Sequence, residues 1–143
     1  MLGICILSMA CSHEHDAHHQ DTSEHNHANS SAGADAELSL NAGKPWEADA
    51  STNQGMRKLN ARLEHAEPET PAGYRQLQQQ LQSDVNTIIA HCQMEGPAHA
   101  QLHIYLGMMQ SEIDALDSPK SHQAQQALLK LRNLSAEYDS YFQ

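Results

Sequence analysis

Basic residues are scarce in this chain. Eight Lys and Arg stand against eighteen Asp and Glu, for a formal charge of -10. A nucleic-acid partner is excluded on that ground, because neutralising phosphates takes clustered Lys and Arg. Cysteine is equally sparse, with only Cys5, Cys11 and Cys92. There is no Cys-x-x-Cys-His run for covalent haem attachment, and no pair of Glu-x-x-His helices for a di-metal carboxylate centre. A haem held by Met56 and His99 would need ligands from helices expected to lie diagonally. Neither a Ser-His-Asp pattern nor a phosphate-binding loop is present, and the chain is not expected to be an enzyme. No stretch alternates like a strand. The one continuous apolar run, residues 1–10, is too short to span a bilayer as a helix.

That run has a reading of its own. Residues 1–10 are nearly all apolar and Cys11 follows, like the end of a bacterial lipoprotein signal in which the cysteine takes the lipid. Ala10 suits the position before the cysteine. Ser8 sits where a branched apolar residue is usual, and no Lys or Arg precedes the run. The expected location is the periplasm, on the outer membrane by preference, with membrane contact only through the lipid. Cys92 is then the only free thiol and has no partner for an intramolecular disulfide. Such a thiol in an oxidising compartment is buried, metal-bound or paired between chains.

Residues 11–37 read as a tether. His13, His15, His18, His19, His25 and His27 fall among Glu14, Asp16, Asp21 and Glu24, and from 12 to 37 the only apolar residues are alanines. A segment of this kind buries too little surface to offset chain entropy and is expected to be disordered. Its imidazoles suit loose capture of divalent metals, with little selectivity because a floppy site imposes no geometry.

From residue 38 the pattern is helical. After an extended lead-in containing Leu38, Leu40, Pro45 and Trp46, a first helix is expected from about 51 to 67. It carries Met56, Leu59, Leu63 and Ala66 on one face and is stopped by Pro68. Thr70-Pro71, Gly96-Pro97 and Ser118-Pro119 each set a capping-compatible residue before a first-turn proline and mark three more starts. The stripes are Tyr74, Leu77, Leu81, Val85, Ile88 and Cys92; then His99, Leu102, Leu106, Met109, Ile113 and Leu116; then Ala124, Leu128, Leu131, Leu134, Tyr138 and Tyr141. The fold class is all-α, and residues 38–143 are expected to form an antiparallel up-down four-helix bundle.

The stretch from His91 to His103 sets a thiol, a thioether and three imidazoles within thirteen residues. His99 and His103, four apart, share one helix face. Sulfur and imidazole together suit copper(I) or zinc. Up-down topology brings Met56, Cys92, His99, His103, Tyr138 and Tyr141 to one end of the bundle, with Met94 in the connection. The other end, with Leu63, Tyr74, Leu77, Leu116 and Leu128, is ordinary core. The expected ligands are His99 and His103, then Cys92, Met94 and Met56. Singly, each has a plainer role: a cysteine or methionine on an apolar stripe is usually packing.

The stretch Cys92-Gln93-Met94-Glu95-Gly96-Pro97-Ala98-His99-Ala100-Gln101-Leu102-His103, with Leu40-Asn41-Ala42-Gly43-Lys44-Pro45-Trp46 upstream, resembles a family of small exported bacterial helical proteins without settled function. The resemblance covers about residues 38–143. It implies an envelope location and a link to heavy-metal handling. The expected function is an envelope lipoprotein that buffers, senses or hands on copper, or else zinc, to a metal-efflux or other envelope partner. The alternative is a helical, chaperone-like interaction module whose His and Cys are structural.

Overall fold

Thr70 and Pro71 open a helix as their spacing predicts: the Thr70 hydroxyl accepts the Gly73 N–H, and proline occupies the first turn. The computed structural model describes residues 37–143. The leader-like segment, Cys11 and the tether histidines lie outside the described residues. Four substantial helices are present, α1 (Ala50–Glu64), α2 (Pro71–His91), α3 (Gly96–Ala115) and α4 (Ser121–Ala136), followed by a single turn, α5 (Tyr138–Tyr141). Among the described residues the only β pairings are two isolated bridges, Asn41 with Lys44 and Trp46 with Phe142.

Successive helices pack on one another, α1 on α2, α2 on α3 and α3 on α4, and α4 closes the ring against α1. The protein is an all-α four-helix bundle, with α1 and α3 on one diagonal and α2 and α4 on the other. The leucine stripes meet at the centre: Leu59, Leu63, Leu81, Leu102, Met109, Ile113, Leu116 and Leu131 are fully buried. Two large side chains join them from outside the predicted stripes. Tyr105 and Phe142 are both completely buried, and their rings meet edge to face at 5.7 Å. No helix among the described residues is long and apolar enough to cross a membrane.

Three helix boundaries differ from expectation. The first helix ends at Glu64, not near 67. Arg132 of α4 donates from Nε to the Leu63 carbonyl and from Nη2 to the Ala66 carbonyl. That guanidinium supplies the partners a helix end lacks, so the early stop costs little. The fourth helix begins at Ser121, after Ser118-Pro119 rather than at it. Ser118 holds the preceding turn instead, accepting the Lys120 N–H and donating to Gln123. The last helix does not run on through Tyr141 but breaks at Glu137. The break lets the chain return extended at Phe142, so the Phe142 ring fills the core and Gln143 N donates to the Trp46 carbonyl.

Close approach of α1 and α2 depends on Gly55. A β-carbon there would collide with Ile88 Cγ1. Midway along the same seam lies Asp84, which is buried. It accepts a 2.5 Å hydrogen bond from Arg62 Nε and pairs with Lys58 Nζ at 2.9 Å. Burial opposes its charge, but the Arg62 and Lys58 contacts prevail and hold the carboxyl below the usual carboxylate range.

Candidate metal centre at the α2–α3 junction

The end of the bundle that gathers the soft side chains is tied together by a carboxylate. Asp49 caps α1, accepting the Thr52 N–H at 2.7 Å and the Ser51 hydroxyl at 2.6 Å. Its second oxygen accepts the Gln93 N–H at 2.6 Å, and Ser51 Oγ also lies 2.7 Å from the His91 carbonyl, so its one proton is shared between that oxygen and Asp49. Cys92, at the end of α2, is thus held on both sides by the first turn of α1. Burial works against a charged Asp49, yet the donors Ser51, Thr52 and Gln93 outweigh it and keep the carboxyl well below its ordinary range. Sequence reading placed this helix start at Ser51. The signal it passed over was the aspartate two residues earlier, an equally good cap.

The connection that Cys92 opens is four residues long, 92–95, and α3 begins at Gly96 with φ +63°. That left-handed backbone favours glycine and turns the chain so that α3 runs back along α2. His99 then stands one turn into α3 and faces Cys92. Cys92 Sγ lies 3.7 Å from His99 Nδ1. On the far side of the same ring, His99 Nε2 lies 2.8 Å from His103 Nε2. The two rings are tilted, with centroids 4.5 Å apart. Cys92 and His99 are half-buried and His103 is exposed. Partial burial, and then the charge of His99, holds the His103 imidazole below its ordinary range.

Three of the five expected ligands are therefore brought together as a row, Cys92 to His99 to His103, and not as a ring around one point. Among the described residues no three His, Cys, Asp or Glu side chains converge on a common centre. Met94 is half-buried and packs against the core, and Met56 is a core residue at 2% exposure. His65, His91 and His122 are exposed. His91 Nδ1 is 2.9 Å from the Thr87 carbonyl of its own helix.

At the same end of the bundle the lead-in and the C-terminal turn are tied down. Trp46 N donates to the Tyr141 carbonyl, Trp46 Nε1 donates to Ser39 O, and Ser39 N donates to the Gln101 side chain of α3. Tyr138, buried, donates to Asn53 Oδ1 at 2.9 Å. Its hydroxyl is pushed far up, first by burial, then by the charges of Asp139 and Asp49, with Cys92 adding to them and Arg57 opposing. Chemically the arrangement offers a half-buried soft sulfur beside an imidazole nitrogen, with a second imidazole behind the first. Comparison with protein-family models, curated proteins and solved structures finds no match to this chain. What the site does is read from its own chemistry.

Proposed function

We propose that this protein is a metal-binding lipoprotein of the bacterial envelope that buffers, senses or hands on a soft metal ion, copper first and zinc second. One observation carries the reading: the 3.7 Å span from Cys92 Sγ to His99 Nδ1. With bond lengths of about 2.3 Å to sulfur and about 2.05 Å to nitrogen, an ion touching both atoms across that span subtends about 115°. That angle lies between trigonal and tetrahedral, within the range either ion accepts. Thiolate with imidazole is a ligand set for copper(I) or zinc. Asp49 and Ser51 supply the rigid frame, since Gln93 and His91 on either side of Cys92 are fixed to them. In this reading Cys11 carries the lipid, the six tether histidines gather metal loosely, and the bundle holds one ion more selectively.

The test is native mass spectrometry of the full chain with His13, His15, His18, His19, His25 and His27 changed to Gln. One copper(I) or zinc ion per chain is expected, and Cys92→Ser and His99→Ala should each lose it. Retention of neither metal overturns the reading. The interaction-module alternative then gains ground. It is favoured by Leu129 and Met108, exposed at 58% and 42%, with Met108 and Leu134 lining a groove between α3 and α4.

A further inference from the structure

We infer that His103 is a positioning residue and not a ligand, and that Cys92 Sγ and His99 Nδ1 form a two-point clamp for copper(I). This rests on the soft-metal reading and deepens it.

The two nitrogens of an imidazole point away from each other across the ring. In His99 one faces the Cys92 sulfur and the other faces His103. A single ion on the sulfur side can reach only Nδ1. An ion placed instead between the two Nε2 atoms, 2.8 Å apart, would subtend only about 85° at about 2.05 Å to each nitrogen, and would leave Cys92 out altogether. The 2.8 Å separation is an ordinary hydrogen-bond length. With a thiol at Cys92, two opposite proton arrangements satisfy the row, since each imidazole can donate from either nitrogen, and only one of them leaves His99 Nδ1 free for a metal. In that one, Sγ–H donates to His99 Nδ1, and His99 Nε2–H donates to His103 Nε2. A metal on His99 Nδ1 requires the ring proton on Nε2, and His103 Nε2 at 2.8 Å is then placed to accept it. A metal-bound histidine almost always donates its other N–H to an acceptor, which fixes the ring and raises its basicity. His103, one helical turn on, fills that place.

Loading the clamp exchanges the Cys92 thiol proton for the metal. An S–Cu bond and an N–Cu bond form, the S–H bond breaks heterolytically, and one proton leaves to solvent with no change in oxidation state. No third His, Cys, Asp or Glu among the described residues converges on the same point. Zinc in a closed protein site takes four protein ligands, so a two-point clamp suits copper(I) better. An ion held by only two protein atoms has coordination to spare for a soft ligand from a partner, which favours handing the ion on over storing it.

The experiment uses the full chain with glutamine at the six tether histidines, loaded with copper(I) under reducing, oxygen-free conditions. X-ray absorption at the copper edge should find one sulfur and one imidazole nitrogen, unchanged in His103→Ala. Competition with a colorimetric copper(I) chelator should show His103→Ala weaker by about 10- to 100-fold. His103→Gln, whose amide oxygen can accept the same N–H, should recover most of that loss. Nitrogen-15 spectra should show His99 bound through Nδ1 with its proton on Nε2. Loss of an imidazole scatterer in His103→Ala, or an unchanged affinity, overturns the positioning role and leaves the soft-metal reading standing. Tighter binding of zinc than of copper(I) overturns the low-coordinate clamp. Copper(I) binding that Cys92→Ser does not weaken overturns the soft-metal reading and this inference with it.

Discussion

The Asp49 carboxylate accepts the backbone N–H of Gln93 at 2.6 Å, so the residue that caps α1 also fixes the chain immediately after Cys92. A helix cap is usually a local device. Here its second oxygen reaches 44 residues along the sequence and ties the first turn of the bundle to the α2–α3 junction. Stability and site geometry are coupled through one side chain.

Asp49→Ala should therefore cost more than an ordinary cap. The expected loss is about 2 kcal/mol, combining a cap with an unsatisfied Gln93 N–H. Asp49→Asn should lose less, because its amide oxygen can still accept one of the backbone N–H groups. Urea melts at neutral pH measure both. A change in Asp49→Ala below about 0.5 kcal/mol would show that the carboxylate does not join the two helices in solution.

Acid should act through the same group. The folded Asp49 carboxyl lies below the unfolded value of about 3.9. Its stabilisation is therefore fully present above about pH 4 and is lost as pH falls toward the folded value. Asp84, also depressed, adds to the same slope. Unfolding free energy should decline below about pH 4, and Asp49→Asn should flatten the decline. Equal slopes in parent and variant would place the acid sensitivity elsewhere.

Along the α1–α2 seam, Asp84→Ala should destabilise by about 2 kcal/mol, since it strands the Arg62 guanidinium. Lys58→Ala should change stability by no more than about 1 kcal/mol, because the Lys58 side chain is 64% exposed. Equal losses for the two would contradict the burial difference.

Gly55→Ala should destabilise by about 1–3 kcal/mol, because the new methyl group collides with Ile88. In an Ile88→Ala background, which lacks the colliding γ-carbon, the same substitution should cost less. A thermal melt of the single and double variants distinguishes this from a simple propensity effect, which would raise stability for Gly→Ala in a helix.

In the bundle, metal should raise the melting temperature by mass action. His99→Ala and Cys92→Ser should abolish the rise, while His122→Ala should leave it intact. A peptide covering residues 12–37 should bind zinc, nickel or copper weakly by calorimetry, and binding should fade as pH drops through about 6.5. Absence of any heat at neutral pH would remove the tether from the metal reading.

The amino-acid sequence by itself determined the helices and their inward faces. Leucine spacing, the Thr70-Pro71 start and the glycine before Pro97 act over one or two turns, and local rules of propensity and capping decide them. Those same rules brought Cys92, His99 and His103 to one end of the bundle as candidates, because short connections force neighbouring helices to run antiparallel. The tertiary structure alone decided how those three side chains face one another. A spacing of four puts two imidazoles on one face but says nothing of which nitrogen each presents. Only the turn at Gly96 and the anchoring of Cys92 by Asp49 and Ser51 set the His99 ring between sulfur and imidazole. The same holds where chain ends met distant partners. Arg132 ended α1 early by reaching its last carbonyls, and the pairing of Trp46 with Phe142 accompanied a break in the final helix that its periodicity ran straight through. Long-range hydrogen bonds of this kind leave no period in the sequence, and packing had to supply them.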